Sequence, residues 1–208
     1  MKDFSVVMAL VDFVPVLFFA IAAVRLQRDL YNKMSKGAFA LFATGTINVV
    51  FAGCSKALYK LLYAARVCDF EALNNLYFPV ISVGFLLAGI GLVGMLTHKQ
   101  TENAALSVMP PVLFTGTPIM ICFMIIGLGM ICYVLCAMAH RLKKSAIMIL
   151  FIINFLCCLG MGYLASKDFD VAIWNWIGEG INILGQGAFL LGVIRLRKAG
   201  LVELKLNK

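Results

Sequence analysis

Long apolar runs separated by short polar segments dominate the chain. A helix needs about 20 apolar residues to cross a bilayer. Five runs meet that length: Phe4–Val24, Ala38–Tyr63, Leu76–Thr97, Ala146–Ala165 and Val171–Leu196. No small-residue cleavage site follows the first run, so we expect it to be a retained span. The pattern predicts an all-α, polytopic membrane helix bundle that forms a single transmembrane domain over residues 1–208.

The number of spans depends on the apolar segment from Asn103 to His140. As one helix it would be about 57 Å long, too long for one crossing of about 30 Å. Pro110-Pro111 and the sequence TGTP at Thr115–Pro118 interrupt it. One interpretation is a single long helix from about Val112, which gives six spans. The other is a short helix over Ala104–Phe114 followed by a full span from Ile119, which gives seven.

The basic residues favour seven spans with the N-terminus outside and the C-terminus cytoplasmic. That arrangement puts 13 of the 18 Lys and Arg residues on the inside, whereas the best six-span arrangement puts 12 there. The totals differ little, but the six-span arrangement leaves the basic cluster Arg25–Lys36 outside. Clusters in short loops set orientation, so we favour seven spans and keep six as the alternative.

A weak internal repeat agrees with seven spans. The order span, basic loop, span, acidic loop, span occurs over residues 4–99 and again over residues 119–198. CDFEALNN at Cys68–Asn75 and KDFDVAIWN at Lys167–Asn175 lie at matching places. Two such units in the same orientation need a linking crossing, here a short helix within residues 103–116, in a 3+1+3 plan. This plan resembles, in architecture alone, the SWEET sugar carriers, the PQ-loop proteins and the PnuC-type vitamin transporters, although the chain contains no PQ dipeptide.

Composition supports the membrane assignment. The chain is 62% hydrophobic and 13% charged, whereas soluble domains are about 45–50% apolar and about 25% charged. The net charge of +8 lies in the loops and the tail, which is typical of a topology signal and not of a nucleic-acid surface. We expect the lipid bilayer as a partner, no nucleic acid, and a plasma or bacterial inner membrane location. The sequence leaves open whether the chain forms a homo-oligomer or binds a partner membrane protein.

The last span carries a polar stripe. Asn175, Glu179, Asn182 and Gln186 are 4, 3 and 4 residues apart, so they share one helix face. Asp12 and Glu179 each lie about eight residues from the outer end of their span, about 12 Å deep. A pair between Lys56 and a carboxylate would keep these charges in the membrane.

These residues predict a substrate-binding cavity in the outer half of the bundle. Amides supply hydrogen-bond donors and acceptors for a polar solute, and Glu179 or Asp12 is a candidate to carry a transported proton. The structural alternative is that the polar groups only join helices to one another. The candidate site residues are Asp12, Asn48, Lys56, Tyr59, Trp174, Asn175, Glu179, Asn182 and Gln186.

The function predicted from this pattern is a membrane transporter or carrier for a small polar solute, either proton-coupled or facilitative. The alternative is a non-catalytic membrane subunit, sensor or assembly factor of a larger complex. The sequence contains no HExxH, GxSxG or phosphate-loop motif, so we do not expect an enzyme. Cys132 and Cys136 share a helix face, but no His lies at matching depth. We therefore expect neither a metal nor another cofactor.

Overall fold

The computed structural model describes residues 5–97, 117–164 and 172–204, and within these ranges the chain is helical with no strand. Six of its helices are long and apolar enough to cross a membrane, with α1, α2 and the following 3₁₀ turn counted together as the first. The helices are α1 (Val6–Val11), α2 (Phe13–Leu30), α3 (Lys36–Ala64), α4 (Glu71–Thr97), α5 (Thr117–Arg141), α6 (Ser145–Leu164) and α7 (Ala172–Lys198).

Local chemistry sets several of the helix ends. The hydroxyls of Ser5 and Ser35 accept hydrogen bonds from the first turns of α1 and α3, at 3.1 and 3.2 Å. The first span divides into α1 and α2 at Asp12. Pro15 accounts for this break, because it lacks an N–H and its ring crowds the carbonyl of Val11 four residues earlier.

The six spans form a closed ring. Each packs against the next along the chain, and α7 returns to pack against α2. Contacts such as Gly45 with Ala88 and Asn154 with Gly185 show that α3 with α4, and α6 with α7, are antiparallel pairs.

Two neighbouring pairs in the ring are parallel. In α4 and α5, Gly127 lies against Phe85, and Gly89 lies against both Gly127 and Met130. In α2 and α7, Phe19 stacks on Phe189 at 5.7 Å between ring centroids. Asp29 contacts Arg197 nearer to the C-terminal ends of both helices. Therefore α2, α4, α5 and α7 all end at one end of the bundle, where α3 and α6 begin.

We call this end the basic end, because Arg and Lys residues gather there. The side chain of Asp29 is only 3% exposed and lies 3.5 Å from both Arg28 and Arg197. Lys33 Nζ donates hydrogen bonds to the carbonyls of Val202 and Leu204 at 2.9 and 2.7 Å, which ties the C-terminal segment to the first span. The opposite end is called the far end.

The prediction of an all-α membrane-spanning helix bundle agrees with these six apolar helices. The first span extends further than expected, to Lys33 in place of Val24, and α4 begins at Glu71 in place of Leu76. Polar residues at these ends continue the helices beyond the apolar runs that defined the expected spans. The span expected from Ile119 corresponds to α5. The linking helix expected over Ala104–Phe114 lies outside the described residues.

Glycines bring the helices into close contact. A Cβ on Gly45 would collide with the backbone of α4 at Gly84 and Ala88. Backbone atoms cannot move aside as a flexible side chain can, so we expect Gly45→Ala to separate α3 from α4. Overpacking of this kind costs about 1–3 kcal/mol. A thermal unfolding measurement on the purified protein should show a lower midpoint for this variant.

Gly160→Ala is the matched control, because a Cβ there meets nothing within 4 Å. Alanine favours a helix over glycine by about 1 kcal/mol, so this variant should keep or slightly raise the midpoint. Equal loss of stability in the two variants would contradict the close-packing argument.

Candidate functional site: a buried ion cluster beside two cavities

A lysine in α3 lies between two carboxylates deep in the bundle. Lys60 Nζ is 2.6 Å from Asp12 Oδ2 and 3.4 Å from Glu179 Oε1. The exposed fractions of the three side chains are 7% for Lys60, 6% for Asp12 and 9% for Glu179. We call these three residues the ion cluster. It joins the first span, α3 and α7 at one depth.

The helices position the ion cluster in a simple way. Asp12 lies at the break between α1 and α2, Lys60 lies one turn before the end of α3, and Glu179 lies two turns into α7. Because the first span and α7 are parallel while α3 is antiparallel to the first span, all three positions fall near the far end. Burying such charges is costly unless each has a partner, and here the lysine is shared by both carboxylates.

Lys56 lies one turn further from the far end than Lys60, on the same face of α3. Its Nζ is 4.3 Å from the centre of the Tyr77 ring, which is a cation–π contact. Within the described part of the chain, no carboxylate oxygen lies within 4.0 Å of this Nζ. The cation of Lys56 therefore faces an aromatic ring and open space, whereas that of Lys60 faces two carboxylates.

Two cavities adjoin at Lys56. The smaller has a volume of about 90 Å³ and is bounded by the ion-cluster carboxylates of Asp12 and Glu179. The larger has a volume of about 540 Å³ and extends towards α5 and α6. The two cavities share six lining residues: Lys56, Tyr77, Ile81, Phe85, Asn182 and Gln186.

The cavity lining includes hydrogen-bonding capacity that the described residues do not use. Asp12 Oδ1 and Gln186 Oε1 are buried without a hydrogen-bond partner there. In the larger cavity, Pro79 has no N–H, so the carbonyl of Asn75 loses its helical donor beside the open space. A buried polar group without a partner costs about 1–3 kcal/mol, so Asp12 Oδ1 and Gln186 Oε1 favour a polar occupant.

The predicted site residues divide into two groups. Asp12, Lys56, Glu179, Asn182 and Gln186 line the smaller cavity. Four others, namely Asn48, Tyr59, Trp174 and Asn175, are not among the residues that line either of these two cavities.

The second group packs elsewhere: Asn48 lies near the middle of α3, and the other three lie towards the far end. Tyr59 is buried, and its hydroxyl lies 3.3 Å from Asp69 Oδ1 in the loop before α4. Asn175 is 1% exposed, whereas Asn48 and Trp174 are half-buried.

Sequence reasoning missed Lys60 and gave its role to Lys56. The candidate residues from the sequence include Lys56 but not Lys60, which is 5% exposed inside the bundle. The two lysines are four residues apart, so both lie on the face of α3 that points at α7 and Asp12. That spacing was a usable signal for a second buried lysine.

No protein-family model, curated protein or solved structure matches the chain. Among the residues that the structure describes, no group of three or more His, Cys, Asp or Glu side chains could hold a metal ion. Cys132 Sγ lies 3.9 Å from Cys136 Sγ on the same helix, α5. It also contacts the carbonyl of Phe151 on α6, so this cysteine packs between the two helices.

Lys60→Met should destabilise the protein strongly, because it leaves two carboxylates buried without their cation. Removing one member of a buried ion pair costs about 3–5 kcal/mol. Lys56→Met is the matched control one turn away, and it should cost less because no carboxylate depends on it. Unfolding midpoints of the purified variants check this order.

A charge-free triple variant, Asp12→Asn/Lys60→Met/Glu179→Gln, should recover much of the stability that Lys60→Met loses. It removes the unpaired charges together with the lysine. If the triple variant is as unstable as Lys60→Met alone, the loss comes from packing of the lysine stem and not from its charge.

Proposed function

We propose that this protein is a membrane carrier for a small polar solute, which binds in the two adjoining cavities. The observation that carries the proposal is the combination of an open, partly polar cavity with a buried ion cluster inside a bundle of membrane-length helices. Ionisable groups within membrane spans usually mark a substrate or ion pathway. The larger cavity also falls in the size range of small-molecule sites, about 300–1,000 Å³.

The polar groups at the cavity favour binding over simple helix–helix attachment. Polar side chains that only join helices are paired across the helix contact, as Asn154 Nδ2 is with the carbonyl of Gly185 at 3.0 Å. Lys56 and Gln186 Oε1 instead border open space, without such a partner among the described residues. Groups held in this state are suited to a solute that supplies the missing partners.

The parallel packing of α4 and α5 supports seven crossings. Phe85 and Gly127 lie at one height, with Thr97 twelve residues below and Thr117 ten residues above. At 1.5 Å per residue these ends are about 33 Å apart along the bundle, close to the thickness of the hydrocarbon core. Residues 98–116 connect them, so we propose that the chain crosses the membrane once more in this stretch.

With that crossing, the helices divide into two units of the same orientation. The first span, α3 and α4 form one unit, and α5, α6 and α7 form the other. Their parallel contacts, α4 with α5 and α7 with the first span, are the two seams of the ring. We propose that these units are the 3+1+3 repeat, and that the cavities lie between them. Carriers built from such units move one unit against the other around a central site.

Cysteine labelling tests the seventh crossing. In a background without native cysteines, single cysteines are placed at Asn32, Cys68 and Lys144 and labelled with an impermeant maleimide in oriented cells. Seven crossings put position 144 on the same side as position 32 and opposite position 68. Six crossings, with residues 98–116 as a loop, would put position 144 on the side of position 68 and would contradict the repeat plan.

Ligand-induced stabilisation tests the carrier proposal. A thermal-shift screen of sugars, amino acids, nucleosides, vitamins and organic acids should find a solute that raises the unfolding midpoint. A solute at 100 times its Kd stabilises by about 2.7 kcal/mol. Asn182→Leu and Gln186→Leu should abolish that shift, because both amides line the cavities.

Gln27→Leu is the control for these variants. It removes an amide whose partner is Thr46 Oγ1, at 2.7 Å and away from the cavities. This variant should start less stable and yet keep the full solute shift. A screen in which no solute stabilises the protein would favour the alternative of a non-catalytic membrane subunit.

A further inference from the structure

The charged groups around the cavities balance in number. The first span contributes Asp12, α3 contributes Lys56 and Lys60, and α7 contributes Glu179. The other titratable groups that line the cavities are the Tyr77 phenol on α4 and the Cys158 thiol on α6. The described lining residues of α5 are Met120, Met124 and Leu128, which carry no charge. With all four groups ionised, the two cations and the two carboxylates leave the empty site neutral.

The cations are not equivalent. Lys60 is within 3.4 Å of both carboxylates, so both acids share a single lysine. Lys56 lies over the ring of Tyr77 and lines both cavities. A half-buried ammonium has three donors and is strongly hydrated in water, so a cation–π contact alone leaves it without acceptors.

We propose that the solute is a small organic anion whose carboxylate or similar acidic group binds Lys56, and that it is carried together with one proton. This inference rests on the carrier function proposed above and names its substrate class. A charge-assisted bond to Lys56 is stronger than a neutral hydrogen bond to the amides of Asn182 or Gln186 in the same cavities.

The rest of the cavity defines the body of the anion. Ile81, Phe85 and the three apolar residues of α5 form one wall, which suits an apolar or aromatic group. Asn182 and Gln186 on the other side offer amide donors and acceptors. The solute therefore combines one acidic group, a compact apolar body and a small number of hydrogen-bonding atoms.

Charge balance is the reason for the proton. When an anion binds at Lys56, the neutral site acquires one negative charge in a region of low dielectric, which is costly. A proton from the water on the side of entry, taken up by Asp12 or Glu179, restores neutrality and leaves with the anion. Because binding linkage is reciprocal, a proton that favours the anion is itself favoured by it.

Proton uptake also alters the bundle. A protonated carboxyl no longer forms an ion pair with Lys60, so the tie between α3 and its carboxylate partner weakens. Glu179 belongs to one helix unit and Lys60 to the other. When Glu179 is the acceptor, loaded and empty carriers would thus differ in the strength of the contact between the two units, which is the contact that must change when a carrier switches sides.

Matched acid and amide pairs test the substrate class on the purified full-length chain. The probes are benzoate with benzamide, nicotinate with nicotinamide, and N-acetyl-leucine with its amide. We expect at least one acid to bind with a Kd at least about tenfold below that of its amide. Lys56→Met should remove this preference, and Lys56→Arg should keep it.

Titration calorimetry in buffers of different ionisation enthalpy tests the proton. Binding of the preferred acid should take up about one proton per anion, from the charge balance above. Asp12→Asn and Glu179→Gln, measured separately, should show which carboxyl accepts it, and that variant should bind the acid with no proton uptake. Binding of the acid to the native protein without proton uptake would overturn the coupling.

The other outcomes separate this inference from the carrier function. If the amides bind as well as the acids, or if Lys56→Met keeps the preference, the anion inference is overturned while the carrier function stands. If no acid binds but a neutral or cationic solute stabilises the protein in the wider screen, the same conclusion follows. If no compound of any class binds, the carrier function and the anion inference both fail.

Discussion

The position of Lys60 between Asp12 and Glu179 is the constraint on which the rest of the structure depends. A buried charge that loses its partner costs several kcal/mol, so the first span, α3 and α7 cannot slide past one another without breaking this contact. It fixes Asp12 and Glu179 at one depth and requires the first span and α7 to be parallel. The packing of α7 against α2 closes the helix ring, and the smaller cavity adjoins the ion cluster at Asp12 and Glu179.

Hydropathy and counting along helices predicted the parts of the fold that the bilayer itself dictates. Backbone groups in lipid must be paired within helices of sufficient length, so apolar runs identify the spans. The common depth expected for Asp12 and Glu179 agrees with their shared contact to Lys60. Lys60 itself was not predicted, because Lys56 lies on the same face of α3. The choice between the two lysines depends on how closely α3 approaches the first span and α7, and contacts such as that of Gly53 with Val16 of α2 contribute to this distance.

The candidate site was harder to predict than the spans, because it too depends on how the helices pack against one another. A stripe at helical spacing identifies a face, but that face passes from tightly packed surroundings to open space along its length. Asn175 is buried among packed residues near the far end, while Asn182 and Gln186 reach the cavities two and three turns further on. Tyr77 and Asn75 do not belong to a stripe of polar residues at helical spacing. An aromatic residue at a span end is most often part of an interfacial belt. Their role depends on long-range packing of α4 against α3 and α5.

The two halves of the bundle differ in how firmly they are closed. In the basic half, Asp29 lies between two arginines, Lys33 holds the C-terminal carbonyls, and glycines such as Gly91 let α3 and α4 meet closely. The cavities lie in the far half, where the ion cluster is the main tie between the first span, α3 and α7. In the proposed carrier, opening the contact of α2 with α7 is one route by which the solute would reach the basic end. The pairing of Asp29 with Arg197 lies on that seam, so it and the ion cluster are the two polar ties that would have to weaken in turn.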